Sequence, residues 1–311
     1  MTSQACVSII IPMRDVAPYL RSALASIGPS QRLEILLVDD GSRDGTLALA
    51  EEMAARDGRI RVLHGEGRGP SAARNIGLAA ARAPLVAFLD ADDCWRPGKL
   101  QRQLDLHRRH PQLGFSFTDY RHVTPEGEDR GSCFGYWPRF AARHAPHAAG
   151  PAFELGPDAL AQIFAENVVG TSTVVARTDL LREVGGFRTD WGSAEDWDLW
   201  LRLAARAPVG CVPAVMADYL MHRSGAVSRR AAARARAVRA IAAQHRTAAV
   251  RQNPALARAG EAGLLVAAAE AAERRRSALL LRLRALAIAP SRRVARDAVR
   301  VFFPQPVAVR A

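Results

Sequence analysis

The chain has 311 residues, 49% of them hydrophobic, with 43 Lys and Arg against 31 Asp and Glu. That is enough for one large α/β domain and an appendage. No window reaches the roughly 18 apolar residues of a membrane span, and the scattered Cys6, Cys94, Cys133 and Cys211 form no metal-binding pair. The net charge of +12 is unevenly placed: residues 223–311 hold 19 arginines and four acids, so the first 222 residues carry −3. Basicity belongs to the tail. Met1–Ala5 lacks the basic start and apolar core of a signal peptide, and with the unpaired cysteines this predicts a reduced, cytoplasmic setting.

Val7–Pro12 is a β-branched run closed by proline, which predicts a strand. Leu20, Ala23, Leu24 and Ile27 recur at helical spacing, and Gly28-Pro29 stops that helix. Residues 34–39 predict a second strand, 40–46 a turn, 46–56 a helix and 59–63 a third strand. Gly65–Gly69 is a glycine-rich loop before a helix over 70–82, with Ser71 its expected N-cap. Residues 84–89 suit a buried parallel strand, and a helix follows from Pro97 to Arg109. This alternation predicts an α/β fold with a doubly wound, mostly parallel sheet, whose ligands bind beyond the carboxyl ends of the strands.

Those ends are acidic. Phe88-Leu89-Asp90-Ala91-Asp92-Asp93 places three carboxylates within four residues. Like charges repel, and each costs desolvation at the end of a buried run. A divalent cation resolves the conflict, because carboxylate oxygens are hard ligands suited to Mg²⁺ or Mn²⁺. Strand alternation would set Asp90 and Asp92 on one side and turn Asp93 away into the loop. Capping of the next helix is the competing explanation, although one Asp would suffice for it. Pro12–Asp15 and Asp39–Asp40 end two more strands on the same edge. The Gly65–Gly69 loop is no dinucleotide fingerprint, since it follows the third strand and Pro70 breaks the spacing.

Beyond residue 113 the pattern loosens. Residues 114–120 predict a strand. Residues 125–157, rich in Gly, Pro, His and Arg, predict a long surface insertion whose His144 and His147 lack ligand spacing. Residues 170–176 predict a strand and 179–184 a short helix. A second acidic cluster is Glu195-Asp196-Trp197-Asp198. Trp197, Trp200, Leu201 and Ala204 share one helical face, which is core. The macrodipole alone favours Glu195 and Asp196 at a helix start. The adjacent tryptophans allow a second reading, in which an apolar setting raises a carboxylate's pKa and makes it a better base. His222 ends a further strand and is either structural or a ligand.

Taken in order, several stretches resemble family 2 of the glycosyltransferases, with its nucleotide-sugar-binding GT-A fold. They are Val7–Pro12, Val38–Thr46, Ala73-Arg74-Asn75-Ile76-Gly77-Leu78, Phe88–Asp93 with Trp95, Pro97, Lys99 and Leu100, then Gly185-Gly186-Phe187 and Glu195–Leu199. The resemblance covers about residues 5–228. It sets expected boundaries of 1–228 for a GT-A domain (donor half to about 110, acceptor half 111–228) and 229–311 for an Arg/Ala-rich helical extension. It implies inverting transfer of a sugar from a nucleoside-diphosphate donor, UDP-sugars foremost, to a hydroxyl of a glycan, lipid-linked or other envelope acceptor. Implied donor contacts are Pro12, Asp15, Asp39, Asp40, Arg74 and Asp90, with Asp39 accepting a hydrogen bond from the base. Implied ligands of Mn²⁺ or Mg²⁺ are Asp90, Asp92, Asp93 and His222. Asp196 is the implied catalytic base, with Glu195 beside it. In one departure, Met13-Arg14-Asp15 stands where the family has an aromatic and then an asparagine.

Three rival readings are weaker. A sugar-phosphate nucleotidyltransferase needs a glycine-rich basic loop straight after the first strand, and Arg14 is the only basic residue there. A non-catalytic GT-A-like binding protein has no need of both acidic clusters. Nucleic-acid binding by the tail lacks aromatic interleaving, since only Phe302 and Phe303 are available. The tail instead predicts basic amphipathic helices. Ser277–Leu286 is apolar and edged by arginines. Past Pro290, Val294, Ala298, Val301 and Phe302 share a face, with Arg292, Arg293, Arg296 and Arg300 on others. Such helices suit an anionic membrane surface, here the inner face of the cytoplasmic membrane.

Overall fold

The computed structural model describes residues 6–30, 32–148, 150–221, 227–270 and 275–290; His222 and the helix expected past Pro290 lie outside them. The chain divides into two compact units, one of residues 1–159, 168–190 and 195–223, the other of 160–167, 191–194 and 224–311. The resemblance set a single expected boundary at 228/229; the two short inner segments group with residues 224–311.

The first unit is built on one mixed sheet. Its strands are β1 (Val7–Met13), β2 (Leu33–Asp39), β3 (Ile60–His64), β4 (Leu85–Phe88), β5 (Cys94–Trp95), β6 (Phe115–Val123), β7 (Asp129–Ser132), β8 (Phe153–Glu154), β9 (Val175–Arg177) and β10 (Val209–Leu220). The order is β3-β2-β1-β4-β9-β6-β10-β5, with β7 beside β6 and β8 beside β10. Pairing is parallel through the β3-β2-β1-β4 half and between β6 and β10. β9 runs antiparallel between β4 and β6.

Helices α1 (Ala17–Ile27), α2 (Thr46–Arg56), α3 (Pro70–Ala80) and α4 (Lys99–Arg109) follow the first strands. Leu20, Ala23, Leu24 and Ile27 are the buried stripe of α1. Helix α3 lies so close to β1 that a Cβ on Gly77 would come within 2.5 Å of Ile10. Gly69, at φ +93, is the N-cap of α3 and Ser71 is buried inside the helix, so the expected serine cap is replaced by a glycine turn.

One expectation changes in the second half. Residues 171–173 form a 3₁₀ turn and not a strand, because the hydroxyls of this Thr-Ser-Thr run serve as local hydrogen-bonding groups. The described residues of the 125–157 segment are largely exposed, as a surface insertion should be, and include short helices. Helices α5 (Cys133–Tyr136) and α6 (Pro138–His144) bury Cys133 and Phe140. The buried Asp119 carboxylate accepts from the Tyr120 and Phe134 N–H groups at 2.8 and 3.0 Å. His144 and His147 pack on Phe140 and Phe153.

Behind the 171–173 turn runs a buried polar chain. Lys99, the only lysine, donates to Gln103 at 2.8 Å and sits 4.1 Å from the Trp95 ring centre. Burial pushes its ammonium well below the usual range. Gln103 donates to the Thr173 carbonyl and to Ser116, whose hydroxyl also meets His107 Nε2 at 3.1 Å.

Helices α7 (Ala159–Ala165), α8 (Thr178–Glu183) and α9 (Glu195–Ala204) come next in the chain. Trp197, Trp200, Leu201 and Ala204 of α9 are buried. Before α9, Gly186 at φ +64 leads into Phe187, which exchanges two hydrogen bonds with the Asn75 side chain at 2.7 and 2.8 Å. Arg202 holds the same turn through the Val184 and Gly186 carbonyls while paired with the fully buried Asp198.

In the second unit, α10 (Val227–Gln252), α11 (Pro254–Glu270) and α12 (Arg275–Ile288) pack through small residues, with Ala249, Ala257, Ala262 and Ala285 all buried. Gly260 of α11 admits Phe164 of α7, where a Cβ would meet the ring at 2.9 Å.

Two stability predictions follow from these contacts. Burial pushes His107 down to about 4 from an ordinary 6.5. As pH falls, the unfolded chain therefore takes the proton first. Stability should drop between pH 6.5 and 4 and level off below, by about 3 kcal/mol relative to His107→Gln, read from urea midpoints of the two proteins across that range. Gly186→Ala places a Cβ 2.5 Å from Asn75 Oδ1 in a left-handed backbone. It should cost about 3 kcal/mol, whereas Gly185→Ala, with the same backbone strain and open space, should cost about 1 kcal/mol in the same urea measurement.

Candidate active site

The carboxyl ends of β1, β2 and β4 bring Pro12–Asp15, Asp39–Asp40 and Asp90–Asp93 to one edge. Asp39 is buried at the end of β2. Its Oδ2 accepts from the Gly41 and Ser42 N–H groups, both at 3.2 Å, while Oδ1 is buried with no hydrogen-bond partner among the described residues. An orphaned carboxylate oxygen at this edge is an acceptor waiting for a donor N–H.

Asp40 and Asp15 do other work. Asp40 accepts from the Arg68 and Gly69 N–H groups at 3.1 and 2.7 Å and so fixes the glycine loop. Gly65 is needed there, because a Cβ would stand 2.8 Å from Asp40 Oδ1. Asp15, at φ +53, accepts from the Arg43 and Asp44 N–H groups and ties the first strand's loop to the second's. Both are loop braces. Arg14 is half exposed, with Nη1 3.5 Å from the Gly67 carbonyl. Pro12 lies within β1 opposite Val38.

The strand before the third acidic group stops at Phe88, so Asp90, Asp92 and Asp93 lie on a turn, and strand alternation does not govern their directions. Asp93 points inward. It is 1% exposed, takes a 2.6 Å hydrogen bond from Ser172 and a 3.1 Å one from the Leu220 N–H, and is pushed well up by burial, with Asp90 and Asp92 adding. Its carboxylate oxygens are thus engaged in holding β10 to this turn. Asp90 and Asp92 are partly buried.

Arg74 of α3 joins the two acidic motifs. Its guanidinium is nearly buried, donates to Asp90 at 2.6 Å, lies 3.6 Å from Glu195 and stands 5.3 Å over the Phe187 ring. Nε and Nη1 make no hydrogen bond among the described residues. Burial, then the Asp196 charge, pushes the Glu195 carboxyl up. Asp196, at the start of α9, accepts from the Thr171 hydroxyl at 3.2 Å and from the Trp197 N–H at 2.7 Å.

The 171–173 turn is the part that sequence reasoning missed. Ser172 accepts from the Asp90 N–H and donates to Asp93, Thr171 donates to Asp196, and Trp95 Nε1 donates to the Ser172 carbonyl. Three consecutive hydroxyl residues after a glycine were the available signal, masked by the β-branched run that follows them.

Among the described residues no three acid, thiol or imidazole groups converge into a ready cation cage. The donor set still fits a cation that keeps few protein ligands: hard carboxylate oxygens from Asp92, aided by Asp90, with phosphate oxygens completing the shell. His222, the other expected ligand, lies outside the described residues. A groove of about 730 Å³ lies at the opposite ends of the strands, lined by Arg32, Arg82, Arg177 and Arg182.

Residues 8–147 match the family model described as glycosyl transferase family 2. A putative teichuronic acid biosynthesis glycosyltransferase of Bacillus subtilis is 35% identical over 124 residues, 39% of this chain and 49% of that protein. Of four other bacterial relatives the chain spans 28–31% of their length. Among solved structures, Staphylococcus aureus TarS 1–349 in complex with UDP-GlcNAc superposes with a TM-score of 0.61 at 16% identity, over 95% of this chain and 89% of that one. The mannosyltransferase PcManGT of Pyrobaculum calidifontis, in complex with GDP-Man and Mn²⁺, gives 0.59 at 22% identity over 97% and 88%. These likenesses establish a shared GT-A fold. Residues 8–147, a little under half of the chain, are thus similar to glycosyl transferase family 2.

Proposed function

We propose that the chain transfers a sugar from a nucleoside-diphosphate donor, a UDP-sugar foremost, to a hydroxyl of an envelope glycan or lipid-linked acceptor, with inversion at the anomeric carbon. The observation that carries this reading is the buried Arg74, which draws Asp90 and Glu195, and with them both acidic motifs, to one point at the carboxyl edge of the sheet. Neighbouring folds bound to UDP-GlcNAc and to GDP-Man with Mn²⁺ support it.

Each residue then has a task. Asp39 Oδ1 accepts the ring N–H of the base, and Pro12 lines the base and ribose. Asp92, with Asp90, would hold Mn²⁺ or Mg²⁺, which would supply Lewis-acid stabilisation of the leaving diphosphate. Arg74 adds buried positive charge beside it. Asp196 takes the acceptor hydroxyl proton as that oxygen bonds to the anomeric carbon, and the bond from that carbon to the diphosphate breaks. The Thr171 hydroxyl and Trp197 N–H aim the Asp196 carboxylate. Asp93 positions the turn and is not counted among the ligands.

The tail's role in this reading is docking on anionic lipid. In α12, Leu280 and Leu283 are 62% and 47% exposed beside Arg282 and Arg284, the pairing an interfacial helix needs.

Asp92→Asn should lower kcat at least about 100-fold and weaken Mn²⁺-dependent donor binding, whereas Asp196→Asn should lower kcat as much with donor affinity unchanged. The check is steady-state transfer together with nucleotide titration, with and without EDTA. Full turnover in EDTA, or equal loss of donor affinity in Asp196→Asn, defeats the assignment. For the tail, the full chain should co-sediment with vesicles containing anionic phospholipid, release with salt, and lose binding in the Leu280→Glu/Leu283→Glu double variant. Equal sedimentation of the two proteins would remove the membrane role.

A further inference from the structure

The proposed transfer leaves the acceptor's chemistry open, and the aromatic residues at the far ends of β6 and β10 narrow it. Tyr120 and His122 are two apart on β6, so their side chains leave one face of the sheet. Tyr219 of β10 is the register partner of His122. Their ring centres stand 5.3 Å (Tyr120 to His122), 5.4 Å (His122 to Tyr219) and 6.0 Å (Tyr120 to Tyr219) apart. Tyr120 is the inner member. Its ring packs on Gly170, where a Cβ would come within 2.7 Å, immediately before the Thr171 that donates to Asp196.

Tyr219 is the outer member, 43% exposed. The next residue, Leu220, donates its N–H to Asp93 at 3.1 Å, which brings this end of β10 to the first acidic motif. The aromatic surface also continues outward. The Cys133 thiol, which donates to the Val168 carbonyl at 3.6 Å, lies beside both Tyr120 and Trp137. Trp137 meets Tyr136 edge-on at 5.0 Å, and Tyr136 is 67% exposed. Solvent-facing rings gain little from burial, so a strip of them leading into a charged site is better explained by a ligand than by folding.

We infer that this strip, from Tyr219 and His122 to Trp137 and Tyr136, is the acceptor subsite and that the acceptor it holds is a carbohydrate chain. A pyranose presents C–H faces that stack on aromatic rings and a rim of hydroxyls that hydrogen-bond to imidazole, phenol and carboxylate groups. The strip offers that combination. An anionic headgroup would be repelled by the carboxylates at this end of β10. With the reacting hydroxyl at Asp196, the terminal sugar lies on Tyr219 and the following units run toward Tyr136. The inference rests on the glycosyl-transfer reading above.

The test is saturation-transfer NMR on the full chain with Mg²⁺ and either UDP or GDP, probed with unmodified di- and trisaccharides of glucose, N-acetylglucosamine and mannose. Signal is expected on sugar C–H protons, lost in Tyr219→Ala and retained in Tyr219→Phe. Tyr136→Ala should weaken trisaccharide signal more than disaccharide signal. Nucleotide affinity, titrated on the same samples, should stay within about twofold across these variants. No saccharide signal from the wild-type chain, an unchanged signal in Tyr219→Ala, or a parallel loss of nucleotide affinity would each overturn the inference. Failure of the wild-type chain to bind nucleotide at all would count against the transfer reading itself, which separates the two.

Discussion

One buried cation organises this protein. Arg74 lies in the first half of the chain, yet it sits 2.6 Å from Asp90 and 3.6 Å from Glu195, a residue more than a hundred positions later. Burying a guanidinium costs several kcal/mol unless charge and hydrogen bonds offset it. Here burial works against the charge and is outweighed by Asp90, with Glu195 and Asp196 adding. The same electrostatics runs in reverse for the acids: without Arg74, Asp90 and Glu195 would face each other with no countercharge. The two acidic motifs are therefore tolerable side by side only because Arg74 lies between them.

The supporting structure serves that meeting point. Asn75, next to Arg74, is paired to Phe187 through two hydrogen bonds, and Gly186 is the residue that lets the backbone pass. Arg202 and Asp198 hold the same turn from α9, the helix that carries Glu195 and Asp196. On the other side, the Lys99–Gln103 chain fixes Thr173, and through that turn Ser172 and Thr171 reach Asp90, Asp93 and Asp196. The acidic motifs are thus positioned by backbone turns with little freedom, which is what a site that must hold charges before its substrate arrives requires.

Much of this was legible in the sequence because it was periodic or clustered. The β-branched runs gave the strands of the β3-β2-β1-β4 half, and the spacing of Leu20, Ala23, Leu24 and Ile27 gave the buried face of α1. Glu195 and Asp196 were found at the head of a helix whose tryptophan face is core. What escaped was what depends on long-range contacts. Nothing local distinguishes Asp40 and Asp15, which brace loops, from Asp39, which keeps a bare oxygen. Asp93 reads in the sequence as one of three clustered carboxylates, and only the fold shows the Ser172 hydroxyl and the Leu220 N–H that it accepts from. The exposure of the 125–157 insertion was legible in its polar composition, but its buried Cys133 and Phe140 were not, because each stands alone in that stretch.

The central claim is that the two acidic motifs and Asp39 together form a nucleotide-sugar site. The most direct measurement is a crystal structure of the full chain with UDP and Mn²⁺. The account predicts the base with its ring N–H within hydrogen-bonding distance of Asp39 Oδ1 and the diphosphate at the Asp90–Asp92 edge beside Arg74. Nucleotide in the arginine-lined groove at the opposite ends of the strands, with Asp39 Oδ1 still unpartnered, would contradict it.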